Sequence, residues 1–101
     1  MIEVDHKKLA EFCQRWRIAE LALFGSATRD DFNEKSDIDV LVSFFPDARP
    51  SLLTMVDMEE ELEQIFRRPV DLITRRAVEQ SMNPYRKRAI LDSAEVIYGA
   101  A

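Results

Sequence analysis

The chain opens on a helical rhythm. Leu9, Phe12, Cys13 and Trp16 recur at spacings of three and four, which predicts an amphipathic helix over residues 5–16. Asp5 is the natural N-cap, and Lys7 and Lys8 fall on the water side. The rhythm then changes. Ile18 to Phe24 is almost continuously apolar, as expected of a strand covered on both faces. From Ile38 to Phe45 the pattern alternates, placing Ile38, Val40, Val42 and Phe44 on one face of a second strand. Pro46 to Pro50 reads as a loop. From Ser51 to Phe66 the helical period returns, with Leu52, Met55, Val56, Leu62 and Phe66 on one stripe. Ser51 caps that helix, and Pro69 bars its continuation. Val70 to Ile73 is a short strand, and a short helix follows near Arg75 to Gln80. Asn83 and Pro84 start another helix, running to about Asp92. Glu95 to Tyr98 closes the pattern as an edge strand. The expected class is α/β (α+β), a small mixed sheet flanked by helices.

Composition narrows the functional classes. At 101 residues the chain is long enough for one domain with a modest core and too short for two, so residues 1–101 are expected to form a single domain. Its 47% hydrophobic and 33% charged residues are those of a globular protein. A net charge of -5 argues against general nucleic-acid binding, which calls for a basic excess. The single cysteine excludes an internal disulfide and a cysteine-rich zinc cage. His6 and Cys13 share a helical face, but two ligands without a third do not make a site; a surface imidazole and a packed thiol are the better reading. The N-terminus lacks the basic-then-apolar pattern of a signal peptide, and no apolar run approaches the roughly 18 residues of a membrane span. A cytoplasmic protein is expected.

Chemistry concentrates in two places. The first strand ends in Gly25-Ser26, ten residues pass, and Asp37 and Asp39 then stand one residue apart at the mouth of the second strand. Alternation turns both carboxylates to one face, with Cα atoms roughly 6.6 Å apart. Like charges so close repel unless something positive stands between them, and divalent cations take hard oxygen ligands. Glycine allows a close backbone approach, and Ser26 can cap a helix whose free amides form an anion site. A phosphate cradle facing paired acids describes a nucleoside triphosphate site.

Gly-Ser, ten residues and Asp-x-Asp, with Arg29 just after the pair, resembles the signature of the minimal nucleotidyltransferases, small members of the DNA polymerase β-like superfamily. The resemblance spans most of the chain. It implies the minimal nucleotidyltransferase fold and a third acid on a later strand, for which Asp71 is the candidate. Taken alone, Asp71 is an ordinary acid at a strand edge. The family places glycine after the arginine, whereas Asp30 stands here; aspartate tolerates left-handed backbone better than most residues.

The resemblance further implies two Mg²⁺ ions held by Asp37, Asp39 and Asp71, with ATP as substrate. Gly25, Ser26 and Arg29 would bind the nucleotide's phosphates. With no second domain in view to hold an acceptor, the expected partner is a HEPN-type toxin, AMP-modified on a tyrosine hydroxyl by this antitoxin. A non-catalytic antitoxin, a small-molecule nucleotidyltransferase and a regulatory nucleotide-binding module are the alternatives. Two charged stretches add less. Glu59, Glu60, Glu61 and Glu63 read as a solvated helix face, because consecutive helical residues point in different directions. Between Arg67 and Arg88 seven basic residues face two acidic ones, so this segment is either solvated surface or a face for a polyanion or acidic partner.

Overall fold

In the computed structural model, which describes residues 5–25, 37–48 and 50–99, four strands form one mixed sheet. Strands β1 (Ile18–Phe24) and β2 (Ile38–Phe44) pair antiparallel at its centre. Strand β3 (Val70–Thr74) joins β2 in parallel, and β4 (Glu95–Gly99) joins β1 antiparallel, giving the order β3-β2-β1-β4. Parallel neighbours require a crossover, and helix α2 (Leu52–Phe66) supplies it. The mixed sheet and its flanking helices are those expected from the sequence.

Two clusters hold the sheet from opposite sides. Helix α1 (His6–Arg15) inserts Leu9, Phe12 and Cys13, and α2 inserts Met58, Leu62 and Phe66, against Ile38, Val40 and Val42. On the other face Ala22 and Leu41 meet Val78 of α3 (Arg75–Glu79) and Ile90 of α4 (Pro84–Ser93). The alternation of β2 thus divides the molecule: even positions pack under α1 and α2, while Asp39 and Leu41 turn towards α3 and α4. Burial of this kind stabilises by roughly 25 cal/mol per Å² of apolar surface.

The caps follow the sequence. Asp5 accepts the Lys8 amide at 3.2 Å, and Ser51 accepts the Thr54 amide at 3.1 Å. Asn83 Oδ1 accepts both the Tyr85 and Arg86 amides at 3.1 Å, with Pro84 in the first turn. His6 is exposed and Cys13 buried, where desolvation pushes its thiol up to about 12. That thiol is an inert core group.

Helix α2 corrects two expectations. Its buried stripe runs through Met58, Leu62 and Phe66 with Met55 packed beside it, whereas Leu52 and Val56 are exposed. Val56 is rotated by roughly 120° from Leu62 at 3.6 residues per turn, so one face cannot hold both. Nor are the glutamates a merely solvated face. Glu61 accepts the Trp16 indole N–H at 3.0 Å and pairs with Arg15. Glu63 accepts the Val70 amide at 3.1 Å, and the Glu59 carboxylate accepts the Leu72 amide. Val70 and Leu72 lie on β3, an edge strand, and α2 caps its outward amides from one helical face.

Candidate active site

Register brings the acids together. Asp39 pairs with Phe24 across β1 and β2, and with Asp71 across β2 and β3. Directly paired residues on neighbouring strands share a face, so Asp39 and Asp71 stand side by side, about 4.8 Å apart along the hydrogen-bonding direction. Asp37 immediately precedes β2 and is exposed. The Ile38 amide, between the two acids in sequence, donates to the Pro69 carbonyl at 2.9 Å and holds the mouth of β2 against the start of β3.

The electrostatics agree with that placement. Asp39 titrates above its ordinary value of 3.8, first because it is desolvated and then because Asp71 and Asp37 repel its charge. Glu59 is also raised, chiefly by burial, with Asp71 and Glu63 adding repulsion against the lowering effect of the Leu72 amide. A field of acids surrounds one end of the β2–β3 pair. Among the described residues no three His, Cys, Asp or Glu side chains form a ready metal-binding group, so the three aspartates do not make a closed shell. The donor set itself suits a divalent cation: hard carboxylate oxygens, crowded enough to raise one proton affinity.

Gly25 completes the mouth of the site. It follows β1 with φ +66°, and a β-carbon there would lie 2.6 Å from Asp39 Oδ2. Its amide donates to Ser93 Oγ at 3.5 Å, and Ser93 in turn donates to the Ile90 carbonyl at 3.2 Å. A cleft of about 520 Å³ opens there between sheet and helix. Gly25, Asp39 and Asp71 line its floor, and Arg86, Ala89, Ile90 and Ser93 of α4 line its wall. Of the predicted site residues, Gly25, Asp39 and Asp71 meet in this cleft and Asp37 stands close enough to repel Asp39. Ser26 and Arg29, with Asp30, lie outside the described residues.

Sequence reasoning missed the α4 wall. The signal was present as 86, 89, 90 and 93, one face of a helix, but nothing in the chain says which surface that face covers. A second cavity of about 480 Å³ lies at the other end of β2, among Phe44, Phe45, Thr74, Arg75 and Arg76. None of the three aspartates lines it, and it is not the site.

An antiparallel centre, a parallel crossover carrying two register-paired acids and a glycine turn facing them define a nucleotidyltransferase. Residues 6–97 match the nucleotidyltransferase domain model, and the chain belongs to that family. It is 38% identical over 85 residues to a candidate protein adenylyltransferase of Methanocaldococcus jannaschii, covering 84% of this chain and 80% of that one. It is 36% identical over 77 residues to the protein adenylyltransferase MntA of Thermococcus cleftensis, covering 76% and 74%. A solved candidate minimal nucleotidyltransferase superposes with TM-score 0.66 at 26% identity, over 89% of this chain and 86% of that one. A toxin–antitoxin complex with AMP-PNP has a chain of the same fold, TM-score 0.72 at 17% identity, over 96% and 75%. So does a complex of an AMPylated HEPN toxin from Shewanella oneidensis with its MNT antitoxin, TM-score 0.63 at 16% identity, over 94% and 70%. The resemblance to minimal nucleotidyltransferases read from the motif is borne out. Among the described residues no helix is long and apolar enough to cross a membrane.

Proposed function

We propose that this chain transfers AMP from ATP to a hydroxyl side chain, a tyrosine, of a HEPN-type toxin, and acts as its antitoxin. The observation that carries the reading is the register pairing of Asp39 with Asp71 beneath the Gly25 turn, in a chain of this family. The names of the relatives support the protein acceptor, and the toxin–antitoxin complexes of like fold support the partner.

In the transfer, the acceptor oxygen forms a bond to the α-phosphorus as the bond from that phosphorus to the α–β bridging oxygen breaks. Pyrophosphate leaves with that electron pair, and the hydroxyl proton passes to a nearby base. Asp71 is the residue we assign as that base; its exposure and its pairing with Asp39 support the assignment. Gly25 lets the phosphates approach the acids closely, and Ser26 and Arg29 are the residues assigned to bind them. Asp37, Asp39 and Asp71 would hold Mg²⁺, two ions by the family's pattern, which when bound offset the charge of the attacking and leaving oxygens. Everything asked of the protein is positioning and electrostatics, as in phosphoryl transfer generally.

The cleft, about 520 Å³, has room for a nucleotide, and the acceptor hydroxyl is brought to it by a partner docking over the acids. The test is intact mass spectrometry of the HEPN partner after incubation with this protein, ATP and Mg²⁺. One or more added AMP groups are expected, and none with the Asp37→Asn, Asp39→Asn double variant. A partner that stays unmodified yet is inhibited in a stable complex would replace catalysis by neutralisation through binding alone.

A further inference from the structure

Helix α4 turns one face to the cleft, and three of its four residues there, Ala89, Ile90 and Ser93, are small or apolar. The fourth is Arg86. Among the described residues lining the cleft it is the one cation, and it faces Asp39 and Asp71 from the opposite wall.

Three neighbouring basic residues are engaged elsewhere. Arg75 pairs with Glu20 at 3.2 Å and with Glu79 at 3.3 Å. Lys87 Nζ donates to the Glu79 carbonyl at 3.1 Å, and Arg88 pairs with Asp92 at 3.6 Å. The Arg86 guanidinium has no ion-pair partner among the described residues; its backbone amide is fixed at the Asn83 cap. Nor does it neutralise the acids. Among the described residues, the charges that act on Asp39 are those of Asp71 and Asp37, both repulsive.

A cleft with carboxylates on its floor and, on its wall, a guanidinium unpaired among the described residues suits a ligand that carries several negative groups. It can offer some to a cation at the floor and the others to the wall. We infer that Arg86 binds the phosphate chain of the nucleotide, a role that rests on the transferase reading of the same cleft. The guanidinium fork matches phosphate oxygens in a bidentate geometry that an ammonium cannot reproduce. The scaffold holds the arginine to that task. Asn83 and Pro84 fix the first turn of α4, Ile90 anchors its middle in the core, and Ser93 ties its end to the Gly25 amide. Arg86 and Gly25 are therefore two ends of one rigid cradle.

The experiment is calorimetric titration of the full chain, without partner, by ATP and by inorganic tripolyphosphate, both with Mg²⁺. Arg86→Ala is expected to weaken both ligands by about tenfold or more, the worth of a charge-assisted hydrogen bond. Arg86→Lys should recover part of the loss. Arg88→Ala, which removes a cation outside the cleft, should bind as the unaltered protein does, and ligand-free melting temperatures should show all variants folded. Unchanged affinity in Arg86→Ala, with binding by the unaltered protein intact, overturns the inference alone. A loss for ATP but not tripolyphosphate also overturns it, by placing the guanidinium on the base. An unaltered protein that binds neither ligand overturns the transferase reading and the inference with it.

Discussion

Gly25 and Asp39 meet so closely that position 25 has no room for a side chain. A β-carbon there would sit 2.6 Å from Asp39 Oδ2, and the backbone at φ +66° disfavours one in any case. The obstructing atom is the tip of a side chain, so Gly25→Ala relieves the clash by turning the Asp39 carboxylate aside. The fold should lose about 1 kcal/mol to left-handed backbone strain, and the melting temperature should fall by roughly 4–8 °C. The chemistry should suffer far more, by about a hundredfold, as a misplaced reacting group does. Melting curves and transfer rates measured together decide it; a rate that follows only the small stability loss would remove Asp39 from the reaction.

Asp39 itself should weaken the metal-free fold. Its folded carboxyl holds a proton more tightly than an unfolded aspartate, owing first to desolvation and then to Asp71 and Asp37. For an acid with a raised folded value, the folded state binds more protons in the window just above 3.8, so stability falls as pH rises through it. Glu59 shifts the same way and adds to the trend. Asp39→Asn should therefore melt at the same temperature as the unaltered protein, or higher, at pH 7 without metal. The difference should shrink as the pH is lowered towards 4. A marked drop at pH 7 would make Asp39 a structural acceptor.

Glu63 offers a separate test away from the chemistry. Its carboxylate accepts the Val70 amide at 3.1 Å on the open edge of β3, one residue before Asp71. Glu63→Ala should cost about 1 kcal/mol, the net worth of one such bond, while Glu63→Gln keeps the acceptor and most of the stability. Hydrogen exchange at Val70 would report the change directly, with faster exchange in Glu63→Ala and near-native protection in Glu63→Gln. Equal exchange in all three proteins would show that the edge needs no cap.

Much of this was legible in the chain. Strand β1 appears over the same residues as its apolar run, and β2 and β3 keep the predicted starts. The alternation of β2 correctly sent Ile38, Val40 and Val42 to one face and Asp39 to the other, because period two is a local property. The pairing of Asp39 with Asp71 was not local. It depends on the register that α2 and the Ile38–Pro69 hydrogen bond impose on a parallel pair, and only the motif resemblance pointed to it. Glu59 and Glu63 were misread for the same reason: their partners are backbone amides on β3, and backbone carries no sequence signal. Arg86 was one of seven basic residues in its segment until packing of Ile90 chose which face of α4 looked inward.

The last prediction asks whether the acids hold a cation. Mg²⁺ that binds only the folded protein stabilises it by about 1.4 kcal/mol at ten times its dissociation constant, and the melting temperature should then rise by several degrees. The rise should be largest where repulsion is greatest, so it belongs to Asp39 and Asp71, the register pair. Asp39→Asn and Asp71→Asn should each lose most of it. Glu59→Gln should keep it, since that carboxylate is already engaged by the Leu72 amide on the other side of β3. Thermal melts over a Mg²⁺ series for the four proteins are the measurement. A shift of equal size in all four would reflect general screening of a chain with net charge -5 and not a site at the cleft floor.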